Sequence, residues 1–445
     1  MSPVSFPQSV PNIPAPPATP LDPLRERVLL LTLAGIQFVH ILDFMIMMPL
    51  GPILMNELDI DAHAFALLVS AYTFTAAFAG VLTAVFVDRF ERKRLLLTMF
   101  VLFAVATLAC GLSSDYATLL LARGAAGAFG GVLGSMVQTM VGDLIPFERR
   151  GRASGTLMSA FSVAIVAGVP LSLLLANHFG WRFPFFFIAA LTAGIFYLGL
   201  RQLPTLRGHL PSAVTSPAER AHPLAAMAAV LCDANHRRAL LFVALLMFSG
   251  FTVIPFITIY ATANVGIRQE DIPYMYLAGG CATFFTARWI GRLADAYGKV
   301  RIYRFVALAS LLPLFVQTHL PPVPLWLMLI CSTVFFILVP GRMVPAMAIM
   351  TAAVQPRLRG TFLSLSGAVQ SLASGLASYL GGAMIAQQAG GQVVGYGNVG
   401  LVAMGATLLA IAFVGRIRLH TAAPVSAAGR TSAVPPAPTF KAPDT

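Results

Sequence analysis

Charge is scarce in this chain. Asp, Glu, Lys and Arg make up 10% of its 445 residues, against roughly 25% in soluble domains, which excludes a surface mostly in contact with water. Acidic residues are scarcest, 17 against 29 Lys and Arg. Cysteine is rare too. Cys110, Cys232, Cys281 and Cys331 lack metal-ligand spacing and read as reduced, structural thiols. A glycine-rich phosphate loop, a His/Cys/carboxylate cluster and a Gly-x-Ser-x-Gly elbow are all missing from the sequence, so nothing points to ATP hydrolysis, a metal or acyl transfer. No catalytic residue, cofactor or metal is expected.

Apolar residues fill the chain instead, at 58% with a mean hydropathy of +0.80. Crossing a bilayer takes about 20 apolar residues in a helix. Twelve runs qualify: 28–55, 64–87, 95–113, 116–141, 153–176, 183–200, 239–263, 273–291, 303–319, 323–349, 360–386 and 396–415. They are continuous rather than ten-residue alternations, which favours helices over a barrel. The 32 Phe and 37 Gly suit lipid-facing surfaces and close helix contacts. Residues 1–24 are Pro-rich and lack an apolar core ending in a small-residue cleavage site, so the first span is expected to serve as the targeting signal. The expectation is an all-α membrane protein of twelve spans embedded in lipid.

The net charge of +12 raises nucleic acid as a partner, but its placement argues for orientation instead. With both termini cytoplasmic, only Arg182 and Arg268 fall outside and Arg123, Arg288 and Arg342 within spans, leaving 24 of 29 Lys and Arg in cytoplasmic segments. That is the positive-inside bias, and no nucleic-acid partner is expected.

The longest break between spans, with Pro204, Pro211, Pro217 and Pro223, divides the chain into a tail (1–24), a six-helix bundle (25–202), a cytoplasmic linker (203–236), a second six-helix bundle (237–418) and a second tail (419–445). Both tails are rich in Pro, Ala, Ser and Thr and are expected to be disordered. The halves repeat. G-V-L-T-A-V-F-V-D-R-F-E-R-K-R (80–94) and G-R-L-A-D-A-Y-G-K (291–299) align Asp88 with Asp295 at an offset of 207, and 149–155 aligns with 358–364 at 209. Two motifs at nearly one offset indicate a duplicated unit, with parallel repeats about an axis along the membrane normal.

Helical spacing singles out several faces. The first span reads F-V-H-I-L-D-F-M-I-M-M-P-L-G-P, with His40 and Asp43 three residues apart on one face. Asp43 alone of the acidic residues lies deep in a span, Asp143 being near the end of the fourth. A carboxylate at mid-membrane is a functional site by default. Two readings of it stay open: a permanent bridge to Arg123, or a carboxylate poised between desolvation and a neighbouring arginine that exchanges a proton. The fourth span carries Arg123, Gly127, Gly131, Ser135 and Thr139, and the fifth Ala160, Ala164, Gly168, Ser172 and Ala176, each at every fourth residue. Such small-residue stripes let helices approach closely.

The G-x-x-x-D-x-x-G-K segment at Gly291, Asp295, Gly298 and Lys299 resembles the cytoplasmic signature motif of the major facilitator superfamily. Its first copy, with Asp88, Arg89 and Arg92, departs from the pattern at Ala84 and Glu91. The R-x-x-x-G opening of the fourth span is similar to the family's second motif, whose Arg is linked to proton movement. G-V-P-L-S (168–172), containing Gly168 and Pro170, resembles the fifth-helix motif of drug:proton antiporters, with Ser172 where Gly is expected. The first span and G-R-M-V-P-A-M-A-I-M-T (341–351) resemble arabinose-efflux-permease-like members of the twelve-helix drug:proton antiporters.

The resemblance implies two pseudo-symmetric six-helix bundles in a bacterial inner membrane. It implies a monomer that moves a small molecule (a drug, sugar or organic metabolite) against protons by alternating access. Spans 1, 4, 7 and 10 would line the cavity, placing Gln37, Gln138, Asn264 and Arg342 near substrate, with Asp43, His40 and Arg123 coupling the proton. For the amides alone, interhelical hydrogen bonding is the competing reading; for Arg342, anion binding and carbonyl capping are both open. A proton symporter importing a sugar or organic anion, and a non-transporting membrane sensor, remain as alternatives.

Overall fold

A computed structural model of the chain describes residues 23–86, 90–145, 149–204, 223–354, 358–388 and 391–419. Twelve long helices run through them. In the first half these are α1 (Pro23–Ile46), α2 (Ala62–Phe86), α3 (Arg92–Leu112), α4 (Tyr116–Leu144), α5 (Gly155–Phe179) and α6 (Phe183–Gln202). The second half holds α7 (Ala234–Val265), α8 (Ile272–Tyr297), α9 (Lys299–His319), α10 (Leu325–Ala352), α11 (Arg359–Ala383) and α12 (Tyr396–Val414). Ten are long and apolar enough to cross a membrane. The other two, α8 and α11, have 26 and 25 residues, long enough at about 1.5 Å per residue. α8 carries Arg288, Arg292 and Asp295 towards one end, and α11 turns Ser366, Ser374 and Ser378 into the protein interior.

Several runs that read as single spans are interrupted where Pro and Gly remove a donor or relax the backbone. The run at 28–55 stops at Ile46, and Pro49, Gly51 and Pro52 lead into a short helix, Gly51–Glu57. α5 widens to a π-turn at Ala164–Gly168, just ahead of Pro170. α7 is regular to Phe251, then tightens around Pro255 and ends in a wide turn at Ala261–Val265. α10 is split at Arg342 into Leu325–Gly341 and Met343–Ala352.

The small-residue stripes are packing faces. A Cβ on Gly131 of α4 would lie 2.6 Å from the Ala76 carbonyl of α2, and Gly127 packs on the Tyr72 carbonyl. Ala160, Ala164, Ser172 and Ala176 of α5 are all buried. Between the halves, α2 packs along α11, where Ser70 Oγ donates to the Gly375 carbonyl at 3.0 Å. α5 meets α8 at the π-turn, where a Cβ on Gly280 would lie 2.9 Å from Val166 Cα. On the side opposite the termini, Gly51 abuts Ile259, Gly382 abuts Ala66, and Asn177 Nδ2 donates to the Gln269 carbonyl at 3.3 Å.

Three features went unforeseen. A helix at Pro223–Cys232 lies within the expected linker, and Asp233 caps α7 by accepting from the amides of Asn235 and His236. Asn235 ties that end to α10 and the chain's exit, donating to the carbonyls of Ala353 and Arg418 at 2.9 Å each. A two-residue hairpin, β1 (Ala386–Gln387) with β2 (Val393–Val394), joins α11 to α12.

Candidate functional site

Four helices of the first half converge on Asp43. Arg123 Nη1 of α4 lies 2.8 Å from Asp43 Oδ2 and 3.3 Å from its main-chain carbonyl, with both side chains fully buried. Thr107 of α3 donates to Asp43 Oδ1 at 3.2 Å. Tyr72 of α2 lays its ring 4.6 Å from the Arg123 guanidinium carbon and its hydroxyl 3.4 Å from His40 Nδ1. Glycine makes this convergence possible: a side chain on Gly130 would collide with the Tyr72 hydroxyl, and a Cβ on Gly134 would lie 3.4 Å from His40 Nε2. Gly168 closes the back of the site, since a Cβ there would stand 2.8 Å from Leu42 Cδ1. Helical spacing puts His40 and Asp43 on one face of the first span, and a bridge from Asp43 to Arg123 is one of the two readings the sequence leaves open; Tyr72 and Thr107 give no sequence signal.

Chemically, the pair has one removable element. A buried ion pair holds by Coulomb attraction in a low-dielectric setting, and protonating the carboxylate removes it. Arg123 Nε and Nη2 have no hydrogen-bond partner among the described residues, so the main-chain carbonyl and the Tyr72 ring are what would remain to hold it.

The second half has a buried cation with different partners. Arg342, 1% exposed, donates from Nη1 to Thr407 Oγ1 at 2.8 Å and from Nη2 to Ser249 Oγ at 3.0 Å. Carbonyl capping is not what its guanidinium does here; hydroxyls hold it.

The amides are dispersed. Asn264 is committed to the hairpin, donating to the Val393 carbonyl and accepting from the Val393 amide, each at 2.9 Å. Gln37 keeps its Oε1 buried without a partner among the described residues, and Gln138 is exposed on α4. Neither joins the Asp43 cluster.

Of the repeated motif, Asp88 and Arg89 lie outside the described residues. Arg92 Nε is 3.2 Å from Asp143 Oδ2, a bridge within the first half. In the second copy Gly291 packs on Val344, Asp295 is exposed and makes no ion pair among the described residues, and Gly298 has φ +94°. That backbone conformation between α8 and Lys299 is one only glycine adopts readily.

Two packed helical halves with many apolar spans and charge in the interior describe a multi-pass membrane protein. The chain belongs to the Major Facilitator Superfamily, whose family model matches residues 33–344. An uncharacterized MFS-type transporter, YtbD, of Bacillus subtilis (strain 168) is 30% identical over 139 residues, 31% of this chain and 35% of that protein. A protein of Mannheimia succiniciproducens named a probable sugar efflux transporter is 28% identical over 140 residues, 32% of this chain and 35% of its own. The matched stretch thus spans about a third of these relatives. Among solved structures, a D-xylose-proton symporter superposes with a TM-score of 0.68 at 16% identity over 87% of this chain and 97% of that one. An inward-facing bacterial homolog of the human lysosomal transporter Spinster gives 0.63 at 16% identity, over 89% and 95%. At such identities the likeness is one of fold.

Proposed function

We propose that this transporter exports a small molecule in exchange for protons by alternating access, from a bacterial inner membrane in which both termini are cytoplasmic. The observation that carries the reading is the fully buried Asp43–Arg123 pair at 2.8 Å, built on the one acidic side chain deep in a span. Because α1, α2, α3 and α4 all touch it, a proton on Asp43 alters the packing of a whole bundle. Its neighbour Phe44 packs its ring 5.7 Å from that of Phe251 in α7, so the change is delivered at the boundary between the halves. Rocking of one bundle against the other then exposes the midplane alternately to each side. His40, bonded to Tyr72, stands as the entry for the proton. The fifth-span motif and the named sugar efflux relative favour export.

The test is flux in proteoliposomes under an imposed pH gradient, across sugars, organic acids and lipophilic drugs. Efflux predicts substrate movement opposite to the proton; movement with the proton would make the chain a symporter. Substrate binding without gradient-dependent flux in either direction would make it a sensor.

A further inference from the structure

Arg342 is a buried cation whose counter-charge is missing from its own bundle. Among the described residues it makes no ion pair, and the described acidic residues of the second half, Asp233, Glu270, Asp271 and Asp295, all sit at or near helix ends. Its partners are neutral hydroxyls. Ser249 Oγ and Thr407 Oγ1 stand 2.6 Å apart and both reach the Ala403 carbonyl, at 2.8 and 2.9 Å, leaving their lone pairs to Arg342. A buried guanidinium held only by neutral hydroxyls lacks an acceptor that carries charge.

The repeat shows where such an acceptor is absent. The 207-residue offset from Asp88 to Asp295 carries Asp43 of α1 onto Gly250 of α7. A Cβ on Gly250 would lie 3.7 Å from Arg342 Nη2, an ordinary contact. The same offset carries Arg123 onto Ile330 and not onto Arg342, so the two arginines are not repeat partners; what the second half lacks is a carboxylate at the α7 position that matches Asp43. Gly250 adjoins Phe251, which meets Phe44 at the boundary between the halves. Both helices that build the place lose regularity there, α7 beyond Phe251 and α10 at Arg342. Irregular backbone at membrane depth is tolerated where it is buried in protein or lines a cavity, and broken helices mark the binding sites of transporters.

We infer that Arg342, Ser249 and Thr407 form a subsite for one negative charge supplied from outside the chain, beside Gly250. The ligand is a monoanion, either the carboxylate of a transported organic acid or a free halide. The inference deepens the transport reading and rests on it for the role of the ligand, while the binding itself requires no proton coupling.

The experiment is thermal unfolding of the detergent-solubilised full-length chain in sulfate buffer, titrated with sodium benzoate, with its neutral isostere benzamide, and with sodium chloride. Benzoate is expected to raise the unfolding temperature in a saturable way and benzamide to leave it unchanged. Arg342→Gln should abolish the benzoate shift. Gly250→Asp, which supplies an internal carboxylate, should weaken benzoate binding by about tenfold or more, the scale of one charge-assisted contact, while Gly250→Asn should not. If Arg342→Gln fails to fold, the Gly250 pair carries the test. A benzoate shift that chloride does not reproduce identifies the organic carboxylate as ligand; one that chloride reproduces and competes away identifies a halide. Equal shifts from benzoate and benzamide, or undiminished benzoate binding in a stably folded Gly250→Asp, overturn the subsite. Asp43→Asn separates the two proposals: it should keep the benzoate shift while losing gradient-driven flux, and a benzoate shift in a native chain that shows no proton-driven flux would sink the transport reading alone.

Discussion

Replacing Asp43 by Asn removes one charge and almost no volume. The amide oxygen can still accept from Thr107, which donates to Oδ1 at 3.2 Å in the native site, but the attraction across 2.8 Å to Arg123 is gone. Arg123 is fully buried and already has two nitrogens without partners among the described residues, so only the neutral Asp43 carbonyl and the Tyr72 ring remain to it. Breaking a buried pair from one side costs about 3–5 kcal/mol, because the remaining charge is stranded. Removing both charges, as in Asp43→Asn with Arg123→Gln, strands nothing and should return most of that loss. Thermal melts of the four members of this cycle in detergent measure the coupling directly. Gradient-driven flux in proteoliposomes should vanish in Asp43→Asn while substrate exchange without a gradient persists, and the double variant should regain stability without regaining coupling. A single variant that melts like the native protein would show that the pair contributes little; a double variant no more stable than the single would refute the stranded-charge reasoning. Undiminished uphill transport by Asp43→Asn would end Asp43's candidacy as proton carrier.

Other expectations follow from geometry elsewhere. Gly298→Ala forces a side chain onto φ +94° and should lower stability by about 1–3 kcal/mol, read as an earlier melt. Gly382→Val places bulk against Ala66, so closure opposite the termini should fail and a cysteine at Ser70, buried at the α2–α11 seam, should label faster than in the parent. In a background without native cysteines, impermeant maleimide applied from outside should label a cysteine at exposed Asn56 and spare one at Ala213; labelling at 213 would reverse the topology. Asp88→Asn should reduce transport several-fold at most, with Asp295→Asn comparable or worse at matched expression, because Glu91 replaces the small residue that lets the first copy approach its partner. Complete loss in the first with near-normal flux in the second would return the gate to the degenerate copy.

The fold was legible because scarcity of charge is a property of the whole chain, whereas interruption of a helix is local. Twelve runs can be read from composition, yet the end of α1 and the breaks within α7 and α10 fall at single residues such as Pro49, Pro255 and Gly341, which an apolar window passes over. Even the count depends on packing. α11, read as a run from the sequence, is more polar than the ten most apolar helices, and its serines are hidden because α2 lies along it. The linker helix and the hairpin escaped for a related reason: Asp233 and Asn264 act as caps and clamps for backbone groups, and such roles depend on what is nearby in space.

The site was legible in proportion to the rarity of its residues. A lone deep carboxylate among 17 acidic residues can be noticed, and a deep arginine can be matched to it, so Asp43 and Arg123 are found although 80 positions apart. Arg342 has no carboxylate to be matched with, and its partners Ser249 and Thr407 lie 93 and 65 positions away among many similar residues. Hydroxyls are abundant in spans because they can bond back to the helix that carries them, as Thr407 does to Ala403, so their presence predicts no partner. The repeat adds what residue type cannot. By aligning Asp43 with Gly250 it turns an unremarked glycine into the position where the two halves differ by one charge, and that difference gives the binding experiments on Arg342 a built-in control.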